Sequence, residues 1–196
     1  GNLRSAQKAL QRVGADARLP ADTDEISRSD AVVLPGVGAF GRCVEELSRS
    51  GLFGIAADAA GKAVKGGKPF LGICVGLQLL YDRSEEAPGV EGLGVFPGVV
   101  KLLPGPHKRP QMQWNRLEEY DLSHPLFSAL PEDPWFYFVH SYTAPIGAAT
   151  VARCNYGVPI CAAVAQESLW ATQFHPEKSG EVGLQVLSNF VKELRV

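Results

Sequence analysis

The sequence carries almost no excess charge and no long apolar run. Lys and Arg number 19 against 21 Asp and Glu, which gives a net charge of −2, and no five like charges stand together. This balance argues against a surface that binds nucleic acid or anionic membranes. The apolar stretches are also shorter than the roughly 18 residues of a membrane span. We therefore expect neither a nucleic-acid partner nor a membrane.

Cysteine is scarce, and its spacing does not indicate a metal site. The four cysteines form no CxxC pair and no zinc-ligand pattern; they are Cys43, Cys74, Cys154 and Cys161. No signal-peptide pattern opens the chain. We therefore expect reduced thiols in a cytoplasmic protein, with no bound metal and no cofactor.

Repeats, linkers and low-complexity segments are also absent, and the apolar pattern predicts a single α/β domain over residues 1–196. Apolar runs at 31–34 and 69–73 predict strands buried on both faces. Helical spacing of apolar residues predicts helices at 6–13, 43–50, 52–65, 77–81 and 187–194. Between 94 and 174 the pattern predicts strands with little helix, at 95–103, 135–143, 160–164 and 169–174. Together, these strands and helices predict a mostly parallel central sheet flanked by helices and extended by mixed β structure.

The segment Gly72-Ile73-Cys74-Val75-Gly76 has the strand–turn–helix pattern of a nucleophile elbow, with Cys in place of Ser. Its glycines allow a strained turn that pushes the Cys74 side chain above the sheet. A helix beginning at this turn directs its N-terminus at the sulfur and favours the thiolate. Cys74 is therefore the candidate nucleophile, although a small buried cysteine in a tight turn fits the same pattern.

His175 and Glu177 stand two apart at the end of a predicted strand. Extended residues at this spacing point the same way, and Pro176 favours an extended His175. A carboxylate beside an imidazole fixes its tautomer and makes it a base for a nearby thiol. Both predicted strands end at the edge where open parallel sheets place their sites. Cys74, His175 and Glu177 are therefore a candidate catalytic triad.

The segment Pro35-Gly36-Val37-Gly38 ends the other predicted strand. Backbone N–H groups at Gly36, Val37 and Gly38 could form an oxyanion hole, with the Val75 N–H as a second donor. A turn that only terminates the strand explains the same residues equally well.

Residues 72–78 with His175-Pro176-Glu177 resemble the class I (triad) glutamine amidotransferases. Further segments resemble the branch of this family that serves imidazole glycerol phosphate synthase, in the same order along essentially the whole chain; they are 35–41, 84–86, 112–115, 138–142 and 173–179. The resemblance implies a flavodoxin-like α/β fold. It also implies hydrolysis of L-glutamine to glutamate and ammonia in histidine biosynthesis.

The resemblance implies a role for each matching residue. Cys74 forms a glutamyl thioester, His175 moves the protons and Glu177 orients His175. The turn at 36–38 and the Val75 N–H stabilise the oxyanion. The residues implied to hold the bound glutamine are Gln78, Glu86, Ser141 and Tyr142.

The resemblance further implies a partner, a (β/α)8 cyclase subunit in a heterodimer. This subunit uses the ammonia to make imidazole glycerol phosphate and an aminoimidazole carboxamide ribotide. The matching interface positions are Asn2, Trp114, Tyr137 and Lys178, and Trp and Tyr are common at interfaces.

Two departures from the family pattern stand out. The family begins with a strand that leads into a Gly-Asn turn, whereas this chain begins at that turn, so we expect the family's first strand to be missing here. The family also usually has Pro-His-Met-Gly-Trp-Asn where this chain has Gln111 and Gln113 in place of His and Gly. The second change puts the conformation of the partner-facing loop in question.

Three functions compete for this sequence. A glutaminase subunit is favoured over a free-standing cysteine hydrolase because Gln78, Glu86 and the His140-Ser141-Tyr142 segment suit a free-glutamine pocket. An inactive scaffold is disfavoured by the intact triad. A further hypothesis is that the Val37 peptide flips between Gly36 and Gly38, so that hydrolysis is slow until the cyclase binds its ribonucleotide.

Overall fold

The computed structural model describes residues 3–20 and 22–194, so Asn2 lies outside the described residues. Its helices are α1 Leu3–Arg12, α2 Thr23–Arg28, α3 Phe40–Arg49, α4 Phe53–Ala63, α5 Val75–Gln78 and α6 Gly180–Glu193. Its strands are β1 Val32–Gly36, β2 Phe70–Cys74, β3 Tyr81–Ser84, β4 Phe96–Leu102, β5 Gln111–Arg116, β6 Glu119–Tyr120, β7 Trp135–His140, β8 Tyr142–Thr143, β9 Thr150–Asn155, β10 Pro159–Gln166 and β11 Leu169–Thr172. Two 3-10 helices cover Pro125–Phe127 and Pro176–Lys178.

The central sheet of the described residues has six strands in the order β1-β2-β11-β10-β9-β6. Pairing is parallel between β1, β2 and β11 and antiparallel from β11 to β6. The α/β class is therefore confirmed, with a mixed sheet whose parallel part is limited to three strands. A three-stranded sheet, β3-β4-β8, and the antiparallel two-stranded sheet β5–β7 supply the additional β structure.

Side chains on opposite faces of the sheet enter two separate cores. Phe70 of β2 packs with Ala60 and Ala63 of α4. Leu71 of the same strand belongs to the cluster that includes Phe190 of α6. This alternation follows from the two-residue period of a strand, and it buries every residue of β2. The covered sheet holds the carboxyl end of β2 in a fixed position.

The strand β1 is less buried than its apolar sequence predicts. Residues 32–35 are only half-buried, because β1 lies at the edge of the sheet among the described residues. The expectation of burial on both faces holds for β2 and not for β1.

The helix predicted at 77–81 is wrong. The structure has a single turn, α5, and Tyr81 already begins β3. The helix stops because the carbonyls of Leu79 and Leu80 accept hydrogen bonds from Leu93 and Val95 instead of from residues further along a helix. No helix in the described part of the chain is long and apolar enough to cross a membrane.

Candidate active site

Cys74 lies at a strained turn between β2 and α5. Its backbone has φ 55° and ψ −109°, a positive φ that is uncommon outside glycine. A Cβ on Gly72 would lie 2.9 Å from the Gly76 carbonyl oxygen, and a Cβ on Gly76 would overlap the Leu34 carbonyl oxygen. The two glycines of the elbow are therefore required by close backbone packing. The following helix is one turn long, so it supplies less of a dipole than the sequence predicts.

Gly36 belongs to this packing and not to the cavity wall. A Cβ at Gly36 would lie 2.6 Å from the Gly76 nitrogen and 2.7 Å from the Val75 Cβ. The predicted oxyanion residues that line the cavity are Val37, Gly38 and Val75. Gly36 has a packing role, and its contribution to an oxyanion hole stays a prediction.

The parallel strands bring His175 beside Cys74, and Glu177 contacts His175. Ile73 pairs with Thr172, so β2 and β11 end side by side. His175 is extended (φ −97°, ψ 95°), and its Nδ1 lies 2.7 Å from the Glu177 Oε1. Glu177 itself lies in the 3-10 helix that begins at Pro176, not on an extended strand. Both side chains are buried.

The imidazole of His175 is held between an acid and a thiol. Burial lowers the pKa of His175, but hydrogen bonds to Cys74 and Glu177, with their charges, outweigh burial and raise it to about 9. Because Nδ1 is occupied by Glu177, Nε2 is the nitrogen available to Cys74. The raised pKa favours an imidazolium beside the Cys74 sulfur at neutral pH.

A cavity of about 400 Å³ opens in front of the sulfur. The residues that line it include all four predicted glutamine-binding residues, two triad members and Lys178; the full set is Val37, Gly38, Cys74, Val75, Gln78, Glu86, Val139, His140, Ser141, Tyr142, His175 and Lys178. The volume suits one small molecule.

The hydrogen bonds of Gln78 and Glu86 leave acceptor atoms available at this cavity. Both N–H groups of the Gln78 amide are used, by the Tyr142 carbonyl at 2.9 Å and the Gln173 Oε1 at 3.1 Å. One oxygen of Glu86 accepts the Phe40 N–H at 2.8 Å, at the start of α3. The Gln78 Oε1 and the second Glu86 oxygen therefore suit a cationic donor such as an α-ammonium group.

Two further side chains lie beside the triad, and sequence reasoning assigned no role to one of them, Gln173. The fully buried Gln173 places its Nε2 3.7 Å from the Cys74 sulfur. His140 lines the cavity with its Nδ1 2.8 Å from the Tyr142 carbonyl, and burial lowers its pKa to about 4, so it stays neutral. The spacing of Gln173 and His175 is the same i, i+2 pattern that singled out Glu177 and could have identified Gln173.

The turn at Val37 and Gly38 is held from outside the cavity. The Cys43 thiol of α3 donates to the Val37 carbonyl at 3.5 Å. Gly38 has φ 94°, and a Cβ there would meet nothing within 4 Å. The Val75 N–H lies in the first turn of α5, where backbone donors lack an intrahelical acceptor.

The predicted interface residues within the described part of the chain lie on and beside the antiparallel strands β5 and β7. Trp114 is 49% exposed, and its ring centroid lies 6.2 Å from that of Tyr137. Lys178 lies over the Tyr137 ring, 5.7 Å from its centroid, and also reaches the cavity. The Tyr137 carbonyl accepts the backbone N–H of His175 at 2.9 Å, so β7 is hydrogen-bonded directly to the segment that contains His175 and Glu177.

Within residues 3–20 and 22–194, no three His, Cys, Asp or Glu side chains are grouped as metal ligands. The reactive groups are the thiol, the imidazole and the carboxylate.

Comparison with known proteins places this arrangement in a family. The family profile "Glutamine amidotransferase class-I" matches residues 2–194. The chain belongs to the class-I glutamine amidotransferase family.

Two relatives of this amidotransferase share its full length. It is 49% identical to the imidazole glycerol phosphate synthase subunit HisH of Methanothermobacter thermautotrophicus over 100% of this chain and 95% of that protein. It is 46% identical to the subunit of the same name from Deinococcus radiodurans, over 99% and 90%. A crystal structure of a glutamine amidotransferase matches with a TM-score of 0.73 and 21% identity, over 100% of this chain and 95% of that one, which shows the shared fold.

Proposed function

We propose that this chain is the glutaminase subunit of imidazole glycerol phosphate synthase and acts through Cys74, His175 and Glu177. One observation carries the proposal: a buried thiol–imidazole–carboxylate set opens onto a small cavity, in a chain 49% identical to a HisH subunit. The four cysteines are free, which supports the cytoplasmic location expected from the sequence.

The first half of the reaction forms a thioester. The Cys74 thiolate attacks the side-chain amide carbon of L-glutamine, and the carbonyl electrons move to oxygen. The N–H groups of the 37–38 turn and of Val75 stabilise that oxyanion. The carbon–nitrogen bond then breaks, the nitrogen takes the proton from His175, and ammonia leaves.

The second half regenerates the enzyme. Neutral His175 takes a proton from water, whose oxygen attacks the thioester carbon. The carbon–sulfur bond breaks, glutamate leaves, and the Cys74 thiolate faces a protonated imidazole again. Glu177 holds the His175 Nδ1–H throughout, so that Nε2 stays directed at the sulfur.

The free acceptors in the cavity support glutamine as substrate. The α-ammonium group would contact the Gln78 Oε1 and the second oxygen of Glu86. Ser141 and Tyr142 line the other side of the cavity, and Lys178 supplies a positive charge near the α-carboxylate.

We further propose that a (β/α)8 cyclase subunit binds over the two-stranded sheet β5–β7 and receives the ammonia. Trp114 and Met112 expose 49% and 61% of their surface there, as expected of residues that a partner covers. The hydrogen bond from His175 to the Tyr137 carbonyl gives this surface a direct connection to the triad.

The test is ammonia release from glutamine, measured for this chain alone and with a cyclase subunit and its ribonucleotide. We expect release to rise when the loaded partner is present and to vanish in Cys74→Ala. Cys154→Ala is the matched control, because it removes a buried thiol of β9 that does not line the cavity. Release that persists in Cys74→Ala would refute the mechanism.

The same assay separates the alternatives. Cleavage of γ-glutamyl peptides without any effect of the cyclase would favour a free-standing hydrolase. If the unaltered chain binds the cyclase subunit but does not hydrolyse glutamine, an inactive scaffold would be favoured.

A further inference from the structure

Gln173 connects the substrate cavity to the nucleophile. It is fully buried, follows β11, and lies between the Gln78 amide and the Cys74 sulfur. Its side chain makes no other hydrogen bond among the described residues. Among the described residues, this buried amide therefore interacts only with Gln78 and Cys74.

The hydrogen bonds fix which way the Gln173 amide points. The Tyr142 carbonyl can only accept, so the group of Gln78 that lies 2.9 Å from it is the NH2. The same NH2 lies 3.1 Å from Gln173 and therefore meets the Gln173 oxygen. The NH2 of Gln173 is left to face the sulfur, at 3.7 Å.

We propose that Gln173 is a positioning residue that stabilises the thiolate form of Cys74 by donating its Nε2–H to the sulfur. This inference rests on the proposed function, since it names a residue that prepares the nucleophile of that site. Gln173 does not line the cavity, so it acts through Cys74.

The surroundings of the sulfur support a donor in this place. A neutral thiol can donate to the Val139 carbonyl, 3.9 Å away, but a thiolate needs donors. With Gln173 and protonated His175, the thiolate has two N–H donors on fixed side chains. Hydrogen bonds to a charged atom are worth more than those to a neutral one, so the pair favours ionisation.

Gln78 keeps this donor in place. Both of its N–H groups are occupied, so Gln78 cannot turn without breaking its bonds to Tyr142 and Gln173. A ligand that contacts the Gln78 Oε1 therefore acts on a short chain of amides that ends at the sulfur.

The test is the pH dependence of Cys74 alkylation by iodoacetamide, which requires neither glutamine nor the cyclase. In Gln173→Met we expect the midpoint of the alkylation rate to rise by about one pH unit, because the thiolate loses a donor. Gln173→Glu keeps the shape and the acceptor for Gln78 but removes the amide donor, and its midpoint should also rise.

Gln111→Met is the matched control. Gln111 is also fully buried, and it lies on β5, outside the cavity wall. Its midpoint should equal that of the unaltered chain. An unchanged midpoint in both Gln173 variants would overturn the proposal.

A third readout needs no substitution. In the unaltered chain, the side-chain amide signal of Gln173 in ¹⁵N NMR spectra should shift with the same midpoint as alkylation. A signal that stays flat across that pH range would overturn the proposal even if neither variant folds.

Ammonia release then separates this inference from the proposed function. The kcat lost in Gln173→Met should be partly recovered at higher pH, with KM little changed. A shifted alkylation midpoint in a chain that never hydrolyses glutamine would keep the role of Gln173 and reject the function.

Discussion

Two glycine-containing turns line the same cavity, and they are built in opposite ways. At the elbow, Gly72 and Gly76 are required because backbone atoms of Gly76 and Leu34 fill the space a Cβ would need. At the oxyanion turn, Gly38 has open space around it and is required only for its φ of 94°. The elbow is fixed by packing, whereas the turn at Val37 and Gly38 depends on backbone conformation and on one contact from the Cys43 thiol.

This difference indicates which part of the site can change. The Cys74 turn cannot move without repacking β1 against α5. The peptide between Val37 and Gly38 can rotate with the loss of the contact from the Cys43 thiol. A glutaminase controlled by its partner would place its control at the second turn, as the proposed peptide flip requires.

The largest effect should come from Gly76→Ala, which tests the packed turn. Overpacking a core that can yield costs about 1–3 kcal/mol, and the atom met here is a backbone carbonyl that cannot yield. We expect little folded protein by circular dichroism and no hydrolysis. Gly54→Ala, where a Cβ meets nothing within 4 Å, should fold normally. A stable Gly76→Ala would break the comparison.

The second effect is that of Glu177→Gln, which leaves both turns intact and removes the charge beside His175. We expect hydrolysis to fall by roughly 10²–10⁴-fold, the range in which general acid–base catalysis contributes. The pKa of His175 should fall as well, as NMR titration of the imidazole can show. Wild-type-like hydrolysis in Glu177→Gln would remove this residue from the mechanism.

The same pKa gives a stability signature for the unaltered chain. The folded pKa of His175, about 9, lies above its ordinary value of 6.5. Its proton therefore stabilises the fold fully below about pH 6.5, and that contribution is lost as the pH rises through about 9. Denaturant unfolding across this range should show a smaller loss in Glu177→Gln.

The smallest effect on stability should come from Gly38→Ala, which tests the open turn. A positive φ costs an alanine about 1–2 kcal/mol without any steric clash. We expect a folded protein in which hydrolysis stimulated by the partner is altered. Gly89→Ala is the matched control, because Gly89 has φ 82° and open space but lies outside the cavity wall. Equal stimulation in the two variants would remove the support for the peptide flip.

The sequence predicted those parts of the site that depend on local rules. Strand ends and glycine spacing predicted that Cys74 and His175 lie at the same edge of the sheet, and the strands β2 and β11 do lie side by side. The i, i+2 spacing predicted an extended Glu177, whereas Glu177 lies in a 3-10 helix and still reaches the His175 Nδ1.

Other features depended on contacts that no local pattern records. α5 ends after one turn because residues 93–95 take the hydrogen bonds of Leu79 and Leu80. Gly36 is a packing glycine because Gly76, 40 positions later, lies against it. The Tyr142 carbonyl fixes the orientation of the Gln78 amide, which in turn fixes that of Gln173. These three residues lie in separate segments of the sequence.

Mass spectrometry of the protein quenched during turnover tests most directly whether Cys74 carries the glutamyl group. The measurement uses this chain with the cyclase subunit, its ribonucleotide and L-glutamine. We expect a glutamyl adduct on the peptide that contains Cys74, and none in Cys74→Ala. Hydrolysis that proceeds with no adduct, or with the adduct on another residue, would contradict this expectation.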